Sequence, residues 1–363
     1  MRYFYIFIVI ISFLISCNSS SLEEEIIYKF ENFEGDFALA YKDLSSGNQI
    51  LYNEKQIFHA ASTMKTPLMI EVFNQVNKNN FNLSDSIFII NQFKSIVDDS
   101  FFSLSNIDDS EKYLYESLGK KKSIYSLVFD MITVSSNFAT NLIIDYVGAE
   151  NVNKTMRKIG AMDINVLRGV EDIKAFKKGL NNTTNAYDLM IIYEKLAKGE
   201  IISKSSSEKM IEILLNQKYK DKIGLYLPKN VKVATKDGII SSAVHDSGII
   251  FLPDGRKYIL VILSKNLNDI ENASKLIAEI SGCSNNLSTA ILSPFTKLTT
   301  PCGNPASCIN SIKNLGADGS LSDGFNTNVL PHATALGTIH KGTIAGKLKG
   351  VIPAQTPRGC LTV

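Results

Sequence analysis

Hydrophobic period changes sharply along this chain, and the order of the change limits the fold. "NVKVATKDG", "AVHDSGIIFL" and "KYILVIL" (from residues 230, 243 and 257) read as strands, the last two joined by the turn-forming "PDG". Near the start, Phe37–Tyr41 and Gln49–Tyr52 flank "SSGN", which predicts a hairpin. Between these ends the period is helical. "SIYSLVFDMIT" puts Ile124, Leu127, Val128, Met131 and Ile132 on one stripe, and "NFATNLIIDYVG" does the same with Phe138, Leu142, Ile143 and Tyr146. "NNTTNAYDLMIIYEKLAKG" and "SSSEKMIEILLNQ" add helices with Thr, Asn or Ser caps. A short helix, "LEEEIIYKFENF", precedes the first strand, and "NDIENASKLIAEISG" follows the last. Strands at both ends with helices between predict an α/β (α+β) architecture. An antiparallel sheet flanked by helices is built from about 18–61 and 218–283, with an all-helical subdomain of about 62–217 inserted.

Lys plus Arg number 38 against 36 Asp plus Glu, so charge gives no case for nucleic acid. The N-terminus, "MRYFYIFIVIISFLISCNSS", has an early Arg2, an apolar stretch from Tyr3 to Ile15, then small and polar residues. That is a signal-peptide layout, too short for a membrane span. "LISC" resembles the bacterial lipobox, which implies a signal peptide over 1–17 and lipid on Cys17. Each buried CH₂ of such lipid contributes about 0.8 kcal/mol to anchoring. The expectation is therefore an exported protein held to a bacterial membrane; the other readings are an uncleaved anchor or cleavage elsewhere. Cys283, Cys302, Cys308 and Cys360 allow three pairings, and the sequence does not choose. His59, His245, His332 and His340 form no close ligand pattern, so neither metal nor cofactor is expected. From residue 284 to 363 there is no glutamate, six of the nine prolines occur, and no period is sustained. This segment reads either as a flexible appendage or as a misjoined reading frame.

Chemistry is carried by three separated motifs. The first is S-x-x-K, Ser62 to Lys65, opening an amphipathic helix with Leu68, Met69, Val72, Phe73 and Val76 on its apolar face. The second is "MITVSSNFATNL", with Ser135 and Asn137 after a helix ending near Thr133. The third is "VKVATKDG", with Lys236 and Gly238 toward the end of a strand. Separately each has an ordinary reading: a helix start, helix caps, a solvated strand end.

Together they resemble the penicillin-recognising serine hydrolases, specifically the class A β-lactamases, over roughly residues 35–282 and in that family's order. The resemblance implies that Ser62 is acylated and that Lys65, its ammonium destabilised by burial or by Lys236, serves as base. It implies that Ser135 relays a proton to the leaving nitrogen, Asn137 holds the substrate's amide side chain, and Lys236 attracts its carboxylate. The backbone N–H groups of Ser62 and Ile239 would form the oxyanion hole. For deacylation the family uses a loop glutamate between the second and third motifs. Here "LRGVEDIKAFKKGLNNTT" offers Glu171 and Asp172, of which Glu171 is the choice.

Several residues depart from the family pattern. Ser136 stands where the family has aspartate, and Asp237 where it has a hydroxyl residue. Asp237 either partly neutralises Lys236 or pairs with His245 and turns away. Four residues after Glu171, where the family has an asparagine that helps hold water, this chain has Ala175; Asn181 and Asn182 come later. No arginine falls in "SSAVHDSGII" for the substrate carboxylate, and His245 is the candidate replacement. The leading expectation is a monomeric β-lactamase acting on a β-lactam or cell-wall peptide. The rivals are a D,D-peptidase- or esterase-like hydrolase with slow β-lactam turnover, and a non-catalytic binding lipoprotein of the same fold.

Overall fold

The computed structural model describes residues 21–290, apart from Asp108 and the side chains of 286–290. Cys17 and the segment from residue 291 lie outside the described residues. The chain begins with α1 (Leu22–Glu31), the strands β1 (Asp36–Asp43), β2 (Gln49–Tyr52) and β3 (Phe58–His59), a 3₁₀ turn (Ala61–Met64) and α2 (Lys65–Asn77). Short strands β4 (Ser86–Phe88), β5 (Phe93–Lys94), β6 (Phe101–Phe102) and β7 (Lys121–Ser123) lead to α3 (Ile124–Thr133), α4 (Asn137–Val147) and α5 (Ala149–Ile159). After α6 (Ile173–Lys177) and β8 (Thr183–Thr184) come α7 (Ala186–Lys198) and α8 (Lys204–Leu215). The chain then forms β9 (Lys232–Ile240), β10 (Ala243–Phe251), β11 (Lys257–Lys265) and α9 (Ile270–Ala290).

One antiparallel five-stranded sheet, ordered β2-β1-β11-β10-β9, joins the two ends of the chain. Successive strand side chains point to opposite faces, and that alternation sorts the core into two layers. Phe37, Leu39 and Tyr41 of β1 and Tyr258, Leu260 and Ile262 of β11 meet Ile26 and Phe30 of α1 and Ile277 and Ile280 of α9. The intervening Ala38, Ala40, Ile259, Val261 and Leu263 join the larger core beneath the helical region. Both faces are covered, which is why β11 reads as continuous hydrophobic text. Ser21 and Glu24 form a capping box at the start of α1, so the acidic run 23–25 lies in its first turn.

Three features differ from the sequence expectation. The region 62–217 holds β4 to β8 besides its helices, all of two or three residues; β4 pairs with β7 and β5 with β6, while β8 pairs with β3 ahead of the region. Such ladders are too short to impose a period on sequence. Helix α9 continues past Gly282 and Cys283, so the compositional boundary at 283 falls inside it. His245 is wholly buried and bonded through both ring nitrogens. Ser264 N–H donates to Nδ1 at 3.1 Å, and Nε2 is 2.9 Å from the His59 carbonyl. It neither pairs with Asp237 nor presents a cation to a substrate. Burial, with the charge of His59 as a lesser cause, lowers its pKa to about 4, so it stays neutral.

Helix α2 decides where the chemistry sits. Lys65 through Phe73 are all buried, making this the central helix of the helical region. Its N-terminal part lies inside the core while its C-terminal end reaches solvent, so a lysine at the N-terminal end loses its hydration.

Candidate active site

Ser62 lies on the 3₁₀ turn that feeds α2. The residue before it, Ala61, has φ +44°, a left-handed conformation that an L side chain adopts at a cost. Ser135 (φ +58°) and Glu171 (φ +61°) share that unusual backbone. Left-handed backbone at three positions in or beside one cluster is the pattern of a site held by its surroundings.

Lys65 is fully buried, and its Nζ donates to the Ser135 carbonyl (2.8 Å), Ser135 Oγ (3.1 Å) and Asn137 Oδ1 (3.0 Å). Asn137 turns its other end to Glu171, Nδ2 donating to Oε1 at 2.8 Å. A continuous polar chain therefore runs Ser135–Lys65–Asn137–Glu171. Burial lowers the Lys65 pKa to about 7. The charge of Lys236 adds to this, and Asp109, Asp237 and Glu171 partly oppose it. An amine with that pKa is half free base near neutrality.

β9 runs beside Ser62. A methyl group placed on Gly238 would lie 2.8 Å from Ser62 N and 3.0 Å from Ala61 Cβ, so glycine permits the close approach of strand and turn. Ile239 follows, 42% exposed at the mouth of the site. Gly238→Ala is expected to push β9 off the turn and lower the acylation rate by about 10²-fold, the scale of one lost oxyanion donor. Stopped-flow acylation would check this; a rate within twofold of wild type removes the close approach from the mechanism.

Lys236 is buried, and its Nζ donates to the carbonyl (2.8 Å) and Oδ1 (2.9 Å) of Asp237. Asp237 Oδ2 accepts from Lys222 Nζ at 3.1 Å. Burial acts to raise the Asp237 pKa, but the two lysines outweigh it and hold the carboxyl at about 2. Opposite Asp237 on β10 is Asp246, raised by burial to about 7, with Oδ2 accepting from Ile223 N–H at 3.1 Å.

The loop from Asn165 to Thr183 closes on itself through a bridge between those residues. Asn182 Oδ1 accepts from Leu167 N–H (2.8 Å) and Arg168 N–H (3.2 Å), and Asn181 Oδ1 accepts from Arg168 Nη2 (3.1 Å). Both asparagines tie down the loop instead of standing in for the missing asparagine after Glu171. Asp172 is the other acid of the loop. It caps α6 through Ala175 N–H and accepts from Ser95 Oγ (2.9 Å) and Ile96 N–H (3.0 Å). Those bonds give Asp172 a structural role and leave Glu171 facing Asn137.

Two contributors escape sequence reading. Asp109, from a polar loop before α3, accepts from Phe138 N–H (2.7 Å), Asn137 N–H (3.3 Å) and Ser136 Oγ (3.4 Å). A carboxylate thus caps the start of α4 although position 136 is serine. Asn141, inside the apolar text of α4, pairs with Val170: Nδ2 donates to its carbonyl at 2.9 Å, and Oδ1 accepts from its N–H at 2.6 Å. That pair holds the residue before Glu171. Neither residue has a local sequence signal, because its partner lies about 30 residues away.

The antiparallel sheet with helices on both faces and an inserted helical region is the β-lactamase/transpeptidase fold. The chain belongs to the Beta-lactamase enzyme family, whose model matches residues 21–284. Among solved structures, a β-lactamase from Sphaerobacter thermophilus is 24% identical with a TM-score of 0.63, covering 75% of this chain and 98% of that one. PBP-A is 24% identical with a TM-score of 0.64, covering 75% and 96%. A PBP-A mutant in acyl-enzyme complex with penicillin-G is 25% identical with a TM-score of 0.64, covering 74% and 96%. A comparison with curated proteins finds no match.

Proposed function

We propose that the chain is a serine hydrolase of class A β-lactamase type that forms an acyl-enzyme on Ser62 and opens the β-lactam amide. The observation that carries this is the hydrogen-bonded chain linking Ser135, Lys65, Asn137 and Glu171, with Lys65 one turn after Ser62. Ser62 Oγ attacks the carbonyl carbon and gives its proton to Lys65 as free amine. Ser135 Oγ, 3.1 Å from Lys65 Nζ, passes a proton to the departing nitrogen as the C–N bond breaks. Backbone N–H groups of Ser62 and Ile239 stabilise the oxyanion. In the second half, Glu171 takes a proton from water, the hydroxide adds to the ester carbonyl, and the C–O bond to Ser62 breaks as the proton held by Glu171 is returned to Ser62 Oγ. Asn137 bonds both Lys65 and Glu171, and in this reading it also receives the substrate's amide side chain. Support for β-lactam recognition comes from the PBP-A mutant acylated by penicillin-G.

Mixing the protein with a chromogenic cephalosporin while recording intact mass tests the reading. Turnover with a transient adduct on Ser62 is expected. A lasting adduct identifies a D,D-peptidase- or esterase-like hydrolase, a reading that Ala175 in place of a water-holding asparagine favours. No adduct identifies a non-catalytic binder. The expected location is the outer face of a bacterial membrane, held by lipid on Cys17; palmitate labelling that survives Cys17→Ser would exclude it.

A further inference from the structure

The end of the site along β9 is where a cation is expected to receive an anionic substrate group, and there this molecule has already placed its own anion. β9 is an edge strand of the sheet, and Asp237 sits on it between two lysines. Its Oδ1 accepts from Lys236 at 2.9 Å and its Oδ2 from Lys222 at 3.1 Å, so one carboxylate bridges both cations. The lysine side chains are 0% and 1% exposed, and that of Asp237 is 8% exposed. Lys222 also meets Asp221 at 2.9 Å, and Asp246 faces Asp237 across the β9–β10 ladder. Two lysines here are paired with the carboxylates of Asp237 and Asp221, Asp246 with its raised pKa adds only part of a charge, and Glu171 and Asp109 supply further negative charge near Lys65. A second carboxylate approaching Lys236 would meet the oxygens of Asp237 in a buried setting where water screens little. Like-charge juxtaposition of that kind is how a binding site rejects a ligand.

We propose that the site selects acyl donors with no carboxylate at the β9 edge, namely uncharged esters and amides, and that Asp237 is the residue setting this selectivity. The proposal rests on acylation of Ser62. It departs from the resemblance, under which Lys236 attracts an anionic group. The Lys236 cation instead fixes the strand edge and depresses Lys65, two tasks that need no anionic substrate.

The test compares the free acid and the methyl ester of one chromogenic cephalosporin on the full-length protein at low ionic strength. The expected result is a kcat/KM at least tenfold higher for the ester, arising mainly in KM. In Asp237→Asn, the acid-to-ester ratio of kcat/KM should rise at least tenfold. That variant leaves two buried lysines without their shared partner, so Lys222→Met/Asp237→Thr, which removes one charge of each sign, should give the same rise if the single variant misfolds. Wild-type preference for the acid, or a folded variant with an unchanged ratio, overturns the proposal. Absence of any adduct on Ser62 from either form overturns the acylation reading and this inference with it. An adduct formed faster from the acid overturns the charge assignment alone.

Discussion

Glu171→Gln should convert a catalyst into a trap. Glutamine keeps the shape and retains an Oε1 that accepts from Asn137 Nδ2, so the loop and the hydrogen bond survive. What is lost is a group able to take a proton from water. Positioned general bases contribute about 10²–10⁴-fold, and deacylation should slow by that factor while acylation persists. Intact mass recorded over time would show the Ser62 adduct accumulating where the wild type shows it passing. The expectation is large because the neighbouring acids are otherwise engaged: Asp172 is bound to Ser95, Ile96 and the start of α6, and Asp109 to the start of α4. Wild-type turnover in this variant would remove Glu171 from the mechanism.

The second large effect belongs to Lys65. Its folded pKa is about 7 against an ordinary 10.5, with burial as the main cause and Lys236 the second. The reactive form is the neutral amine, so acylation should rise about tenfold per pH unit below 7 and level off above it. The same shift has a consequence for stability, with a definite sign. Between pH 7 and 10.5 the unfolded chain holds a proton that the folded protein has released, so this group makes stability rise with pH across that window. Lys65→Met should lose both behaviours: acylation falls by about 10³-fold, and the rise in stability is absent. Single-turnover acylation from pH 5.5 to 9 and urea denaturation at pH 7 and 10 would check the pair. A flat pH–rate profile in the wild type would show that Lys65 is not the base.

What could be read from the text and what could not follows the range of the interactions. Ser62, Lys65, Ser135, Asn137 and Lys236 are legible because each sits in a short motif, the first four at element boundaries and Lys236 within β9. Glu171 is legible only as one of two adjacent acids. The choice between them rests on partners at positions 95, 96 and 137. Asp109 is one acid in a polar loop until the fold brings it to the start of α4. The fate of Asp237 was open between neutralising Lys236 and turning to His245. Lys222, 15 residues upstream, joins Lys236 in binding it. His245 meanwhile goes to the His59 carbonyl and the Ser264 N–H.

The order of strands and helices, the sheet assembled from both ends of the chain, and the pairing of Ser62 with Lys65 one turn later follow from the amino-acid text alone. Those features depend on periodicity and on contacts within a turn or two, which the local text encodes. Only the tertiary structure decided that Lys65 is stripped of water, that Glu171 faces Asn137, and that Asp237 bridges two buried cations. Desolvation and charge pairing are set by whichever distant segments fill the last few ångströms around a group, and the folded core alone fixes those.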